Sequence, residues 1–179
     1  MNLPNFLTIL RILAIPLFII LLSYQFYAPA LLLFVGAGVT DALDGFLARA
    51  FKQKTTLGAY LDPIADKLLL SSSFVAFSIL KLMPAWLTIL VISRDVIILG
   101  GVLVLLVNSF SVAINPTMIS KVTTTLQLLT IGLTLLFQVI ENKFIPLHLV
   151  YWTTGLFTIL SGFDYVRRAI GLISERERN

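Results

Sequence analysis

The chain has 179 residues, of which 58% are hydrophobic and only 12% are charged, with a formal net charge of +4. A soluble domain is usually about 45–50% apolar and about 25% charged, and a domain this small cannot bury so much apolar surface. The composition excludes an ordinary soluble domain, and also a disordered chain, which needs low hydrophobicity. The absence of cysteine excludes disulfides, zinc–thiolate sites and a thiol nucleophile. We therefore predict an integral membrane protein whose basic residues flank membrane helices and bind no nucleic acid.

Six apolar segments are each long enough to cross a bilayer, which takes about 20 residues in a helix. They lack the alternation of polar and apolar residues that is typical of strands, and turn-forming or polar residues separate them. We predict an all-α, polytopic membrane protein that forms a single domain over residues 1–179. Its six transmembrane helices are expected at 5–25, 29–51, 57–80, 84–107, 117–139 and 147–170.

The distribution of basic residues predicts the orientation. Under a six-helix count, Lys81 and Lys143 fall on one side of the membrane. The other side receives Arg11, Arg49, Lys52, Lys54, Lys121, Arg167, Arg168, Arg176 and Arg178. Both termini are therefore expected in the cytoplasm. The first segment runs through Ala28-Pro29-Ala30 into a second apolar span, so we expect it to be retained and not cleaved as a signal peptide.

Four aspartates stand out because an Asp at the centre of a membrane helix costs roughly 2.5–3.5 kcal/mol. Asp41 and Asp44 are three residues apart, and Asp62 and Asp66 are four apart, so each pair is predicted to lie on one helix face. A short basic loop joins the two segments and makes them antiparallel neighbours. The four carboxylates can therefore converge near the cytoplasmic surface.

Carboxylates this close need compensation, which a divalent metal can provide. Oxygen ligands without His or Cys favour Mg²⁺, Mn²⁺ or Ca²⁺. Two such ions about 3.5–4 Å apart can clamp a phosphoryl group during transfer. Two alternatives remain open. The carboxylates could form a proton or cation relay in a transporter, or a helix hairpin could pair them with the nearby cations Arg49, Lys52, Lys54 and Lys67.

Small residues accompany the aspartates. Gly45 and Ala48 follow Asp44, and Gly58 precedes Asp62 by four residues. A glycine in a helix costs about 1 kcal/mol, so it usually marks close packing or the close approach of a ligand. Close packing of two helices and room for a nucleotide both fit this pattern.

These residues form the run Asp41-Ala42-Leu43-Asp44-Gly45-Phe46-Leu47-Ala48-Arg49, followed by Gly58, Asp62 and Asp66. The pattern resembles the signature of the CDP-alcohol phosphatidyltransferase family, with all eight signature positions present at the family's spacing. The resemblance extends over the chain, because that family has a six-helix core of about this length. It implies transfer of a phosphatidyl group from CDP-diacylglycerol to an alcohol, with release of CMP, among membrane lipids.

The resemblance also implies a role for each signature residue. Asp41, Asp44 and Asp62 would hold two Mg²⁺ or Mn²⁺ ions, with Asp66 beside the metals as the base that takes the acceptor's proton. The residues implied in nucleotide binding are Asp41, Asp44, Gly45, Ala48, Arg49, Gly58 and Asp62. Members of the family are often homodimers, and the active site is expected on the cytoplasmic side.

The opening residues Asn2 to Thr8, with Arg11, resemble the branch that contains phosphatidylglycerophosphate and cardiolipin synthases; Asn2 and Thr8 could equally cap the first helix. Arg94 and Lys121 are candidate clamps for an acceptor phosphate. Alternatively, Arg94 pairs with a carboxylate and Lys121 extends to the interface.

The acceptor is predicted from the number of cations near these two residues. Synthases that use glycerol-3-phosphate typically carry Glu where Asp95 stands, further charges soon after it, and a second Lys where Thr123 stands. This chain has no charged residue from 96 to 107 and a neutral side chain at Thr123. A phosphodiester with one negative charge needs fewer cations than a dianionic monoester. This favours phosphatidylglycerol as the acceptor, with glycerol-3-phosphate as the alternative.

Overall fold

The computed structural model describes the backbone of residues 3–50, 56–107, 117–140 and 146–177. It describes side chains at 8–40, 64–101, 117–140, 146–168 and 170–171. Within these ranges the chain is all-helical, with no strand. The six helices are α1 (Leu3–Ser23), α2 (Tyr27–Ala50), α3 (Thr56–Ile79), α4 (Ala85–Val107), α5 (Met118–Ile140) and α6 (Leu147–Glu177).

The predicted helices are confirmed over the described backbone, and all but one end within two residues of the expected positions. The exception is α6, which continues to Glu177 instead of ending at residue 170. Its last turns include Glu175, Arg176 and Glu177, which are strong helix formers but too polar for a membrane span. Hydropathy therefore marked where the apolar segment ends and not where the helix ends.

One helix in the described part of the chain, Met118–Ile140, is by itself long and apolar enough to cross a membrane. The parts of α1 and α2 whose side chains are described, Thr8–Ser23 and Tyr27–Thr40, are also apolar but contain fewer residues. The six-helix count thus agrees with the structure, whereas six membrane crossings remain a prediction.

Two of the turns between helices share one geometry. At the end of α1, the amide of Phe26 donates to the carbonyl of Leu21 (2.8 Å) and that of Gln25 to Leu22 (2.9 Å). After α3, Leu82 and Lys81 make the equivalent bonds to Phe77 and Ser78. Gln25 and Lys81 take positive φ angles of 61° and 57°, as this helix-ending motif requires. Both turns fall where polar residues interrupt the apolar sequence.

The chain divides into two compact units. The first comprises Met1–Met83 and Ile131–Ile145. In it α1 packs against α2 and α3. The fully buried ring of Phe18 lies 6.0 Å from Phe34 and 6.4 Å from Phe77, measured between ring centroids. Phe18 thus joins the three helices, which position the aspartate-bearing segments.

The second unit comprises Pro84–Thr130 and Pro146–Asn179, in which α4 packs against α6. Between α5 and α6 lies a polar seam. The Thr130 and Thr154 hydroxyls share a 2.7 Å hydrogen bond, Thr123 donates to the carbonyl of Phe157 (3.0 Å), and the Gln127 amide approaches the Thr158 hydroxyl (3.4 Å). Hydrogen bonds of this kind hold helices together where lipid removes the hydrophobic drive for association. The prediction of a single domain over 1–179 stays a prediction.

Gly155 allows a prediction about packing in the second unit. A Cβ atom at this position would lie 2.7 Å from Trp86, whose ring is 4.9 Å from Trp152. We expect Gly155→Ala to displace the Trp86 ring and lower the thermal stability of the protein. Because the chain has only two tryptophans, near-ultraviolet circular dichroism reports directly on this ring pair.

Gly132→Ala is the matched control, because a Cβ atom there meets nothing within 4 Å. Removing a glycine from a helix stabilises it by up to about 1 kcal/mol, so the control should be neutral or stabilising. Equal effects of the two substitutions on the tryptophan spectrum would contradict the packing described here.

Candidate active site

The backbone places the eight signature positions on two helices. Positions 41, 44, 45, 48 and 49 lie in the C-terminal half of α2, and positions 58, 62 and 66 lie in the N-terminal half of α3. The predicted spacing of one helical turn within each aspartate pair is therefore present in the backbone. The side chains from residue 41 to residue 63 lie outside the described residues. The metal and nucleotide roles assigned to Asp41, Asp44, Gly45, Ala48, Arg49, Gly58 and Asp62 accordingly stay predictions.

Asp66 is the signature residue whose side chain the structure describes. Its Oδ1 accepts a 2.7 Å hydrogen bond from Nη1 of Arg11, which reaches it from α1. The Arg11 side chain is 2% exposed and that of Asp66 is 45% exposed. A charge-assisted bond of this length fixes the direction of the carboxylate. Asp66 is thus oriented by Arg11 while nearly half of its side chain is accessible.

Sequence reasoning missed this role of Arg11, which it used for the orientation of the helices and for the resemblance of the opening residues to one branch of the family. The available signal was a cation within an apolar helix segment. Such a cation almost always pairs with another polar group inside the bundle. No spacing rule connects it to Asp66, because the two residues are 55 positions apart.

Arg94 lies at the centre of a buried polar cluster in the second unit. Its Nη1 donates to Asp95 (2.9 Å), and its Nη2 donates to the hydroxyls of Ser120 (2.6 Å) and Ser161 (2.8 Å). The Nε of Arg94 is buried without a hydrogen-bond partner. The guanidinium is therefore fixed by groups from α4, α5 and α6, while the N–H of its Nε remains for a further acceptor. The pairing with a carboxylate that the sequence left open is confirmed.

Lys121, the second predicted acceptor-binding residue, follows Ser120 on α5 and its side chain is exposed. No hydrogen bond or ion pair joins Lys121 to the Arg94 cluster. Thr123, where a second lysine would stand in a glycerol-3-phosphate synthase, is fully buried and donates to the carbonyls of Ile119 and Phe157. Among the described side chains, Arg94 is the cation of this cluster, and Asp95 partly neutralises it.

The donor set fits a divalent metal in its chemistry. The signature supplies four carboxylates and no nitrogen or sulfur ligand, which is the set preferred by Mg²⁺ and Mn²⁺. Among the described side chains there is no group of three or more potential ligands. Asp66 nevertheless keeps almost half of its side chain accessible, as a carboxylate beside a metal-bound substrate requires.

Residues 1–160 match the family model of the CDP-alcohol phosphatidyltransferases. The chain belongs to this family. It is therefore a transferase, and the alternative that its carboxylates serve a transporter is set aside.

Relatives across the family are about one third identical to this chain. A Bacillus subtilis CDP-diacylglycerol–glycerol-3-phosphate 3-phosphatidyltransferase is 34% identical in an alignment of 183 positions, gaps included. The alignment covers 92% of this chain and 93% of the relative. A probable phosphatidylglycerophosphate synthase of Mycobacterium tuberculosis is 35% identical, over 94% of this chain and 82% of its own length. Human cardiolipin synthase (CMP-forming) is 33% identical, over 92% of this chain and 60% of its own. These relatives are named for two different activities, phosphatidylglycerophosphate synthesis and cardiolipin synthesis.

The Arg11–Asp66 pair predicts a stability effect. Arg11→Met removes a buried charge-assisted hydrogen bond and should lower the free energy of unfolding by about 1–3 kcal/mol. Arg168→Met is the control, since Arg168 forms an ion pair with Asp164 at 3.2 Å but is 61% exposed. Exposed pairs contribute about 0–1 kcal/mol. Thermal unfolding in one detergent compares the two variants, and an equal loss in both would contradict a structural role for Arg11.

Proposed function

We propose that this phosphatidyltransferase attaches the phosphatidyl group of CDP-diacylglycerol to a glycerol-type hydroxyl and releases CMP, in the synthesis of phosphatidylglycerol and cardiolipin. The observation that carries the proposal is the oriented, half-exposed carboxylate of Asp66 at the end of a complete family signature. The names of the relatives from Bacillus subtilis, Mycobacterium tuberculosis and human support the assignment to this part of lipid synthesis.

Divalent metal is part of the proposal, as is general for this family. Asp41, Asp44 and Asp62 would hold two Mg²⁺ or Mn²⁺ ions, with Asp66 close to them. When bound, the ions neutralise the pyrophosphate and stabilise the attacking and leaving oxygens. Gly45, Ala48 and Gly58 would leave room for the cytidine nucleotide, and Arg49 would add positive charge beside it.

The reaction balances as a single displacement at phosphorus. The acceptor's hydroxyl oxygen forms a bond to the lipid-side phosphorus of CDP-diacylglycerol, and the bond from that phosphorus to the CMP oxygen breaks. CMP leaves with the bonding electron pair, and Asp66 takes the hydroxyl proton. The hydrogen bond from Arg11 orients the carboxylate of Asp66, which helps to position this base for the proton transfer.

Phosphatidylglycerol is the acceptor we favour. The Arg94 cluster would bind the acceptor phosphate, with Lys121 as the second, exposed cation. The carboxylate of Asp95 lies 2.9 Å from the guanidinium and repels a dianionic monoester more strongly than a singly charged diester. Glycerol-3-phosphate is the second candidate, because the Bacillus subtilis relative that matches almost end to end is named for it.

The distribution of side chains supports the proposal of an integral, multi-pass location in the membrane. Large apolar residues on every helix are exposed, Leu32, Ile79 and Phe163 each by about three quarters. Among the described residues, several threonine and serine side chains and two arginines are buried. Soluble monomers rarely expose apolar patches beyond a few hundred Å². The proposal keeps six crossings, cytoplasmic termini, a cytoplasmic active site and a homodimer.

Asp66→Asn tests the base. The amide matches the carboxylate in size but cannot accept the acceptor's proton, so we expect CMP release to fall by about 10²–10⁴-fold in a protein that still folds. Loss of the negative charge beside Arg11 should lower the free energy of unfolding by no more than Arg11→Met does, about 1–3 kcal/mol. Asp164→Asn, another helical carboxylate that pairs with an arginine, should retain full activity. Full activity in Asp66→Asn would rule out the base assignment.

The acceptor is tested by CMP release from CDP-diacylglycerol, with phosphatidylglycerol and glycerol-3-phosphate offered separately and the lipid products weighed by mass spectrometry. We expect cardiolipin from phosphatidylglycerol, loss of turnover on chelation with EDTA, and recovery with Mg²⁺ or Mn²⁺. Turnover with glycerol-3-phosphate alone would make the second candidate correct. Turnover that survives chelation would contradict the metal assignment.

A further inference from the structure

A groove of about 270 Å³ runs between α4 and α6 in the second unit. We call it the α4–α6 groove. Its walls are mainly apolar: Leu90 and Ile97 from α4, and Ile159, Phe163 and Val166 from α6, with the hydroxyls of Ser93 and Thr158 beside them. The three α6 residues follow one another at helical spacing, so the wall is a continuous stripe of that helix.

One charged residue, Arg94, lines this groove. Gly162 makes this possible, because a Cβ atom there would lie 3.7 Å from Cγ of Arg94 and no larger side chain covers the arginine stem. Arg94 is 4% exposed and its Nε lacks a hydrogen-bond partner. A fixed cation with an unused N–H thus lies beside a mainly apolar channel that also carries two hydroxyls, those of Ser93 and Thr158.

A cation beside an apolar channel complements an anion that carries a hydrocarbon chain. A small hydrophilic anion would gain nothing from the walls formed by Ile97, Ile159 and Phe163. The groove volume is just below the range of about 300–1,000 Å³ that is usual for small-molecule sites, so it suits part of one acyl chain and not a whole lipid. The charge and the walls together describe a phospholipid.

We propose that the α4–α6 groove receives an acyl chain of the acceptor lipid while the acceptor's phosphodiester meets Arg94. This inference rests on the proposed function and deepens it, because it makes the groove the feature that selects a lipid acceptor over a soluble one. Bilayer lipid is as apolar as the groove, so transfer of the chain into it adds little binding energy. Its contribution is orientation: the held chain fixes the position of the reacting hydroxyl.

Ile159→Trp tests the groove, since an indole at this half-exposed wall position fills the channel. The matched control is Leu160→Trp, the adjacent residue on α6, which does not line the groove. Their exposed fractions are 50% and 48%, so the two substitutions perturb the surface equally. Ile97→Trp, from the opposite wall, is an independent second variant.

CMP release is measured for the full chain in lipid nanodiscs with phosphatidylglycerol and with glycerophosphoglycerol, which has the same phosphodiester and no acyl chains. We expect the wild type to prefer the lipid. Ile159→Trp and Ile97→Trp should each lose roughly tenfold in kcat/KM for phosphatidylglycerol, with little change for glycerophosphoglycerol. Leu160→Trp should match the wild type with both acceptors.

Three results would overturn the inference. Groove variants that use phosphatidylglycerol at the wild-type rate would show that the chain lies elsewhere, while the proposed function stands. A change of oligomeric mass in Ile159→Trp, by light scattering, would show that a second copy covers the groove. A wild type that releases no CMP with phosphatidylglycerol, or with any acceptor, would overturn the proposed acceptor or the proposed function itself.

Discussion

A buried guanidinium needs a hydrogen-bonded partner for its charge, and this constraint shapes both units of the chain. Removing such an ion from water costs several kcal/mol unless nearby groups compensate it. Arg11 meets the requirement with Asp66 across α1 and α3, and Arg94 meets it with Asp95, Ser120 and Ser161 across three helices. Because each arginine needs partners from several helices, each also fixes how those helices pack. The same contacts therefore stabilise the fold and orient the groups that we assign to chemistry.

Part of the interior of this protein is polar and much of its surface is apolar, unlike the usual distribution in a soluble protein. The seam between α5 and α6 is built of hydroxyls and an amide. Thr123 and Thr130 also donate to the carbonyls of Ile119 and Leu126, one turn earlier on α5. A threonine hydroxyl satisfied in this way adds no unpaired donor to an apolar setting. Many leucine and isoleucine side chains are exposed, although an aromatic core around Phe18 stays buried. This distribution is stable only where the surroundings are themselves apolar.

Much of the fold was predictable, because a long apolar run between polar breaks has few structures other than a helix. The turns at Gln25 and Lys81 fall where the sequence indicated. The predicted end of α6 was wrong by seven residues, because hydropathy does not distinguish a polar helical segment from a polar tail without structure. The contact between Trp86 and Trp152 was not predictable either, because it depends on helices that are distant in sequence packing side by side.

The site divides in the same way. The aspartates were identifiable from local spacing, which a helix converts directly into proximity. The partners of those aspartates and of Arg94 were not, because Ser120 and Ser161 carry no distinctive signal in sequence and reach Arg94 only through tertiary packing. A hydroxyl that completes a charged cluster has the same sequence pattern as one that pairs two helices. Only the family resemblance extended the prediction beyond what local spacing supports.

The separation of 55 residues between Arg11 and Asp66 also has a consequence for biosynthesis. A ribosome adds about 5–20 residues per second, so α1 emerges several seconds before the aspartate that will hold its arginine. In the proposed membrane setting, an arginine at the centre of an inserted helix costs about 2.5–3.5 kcal/mol until a partner arrives. The first helix is thus expected to stay near the insertion machinery or the lipid headgroups until α3 has been made. Packing of α1 against α3 is then expected to follow formation of the ion pair, which couples this step to the appearance of the last signature residue.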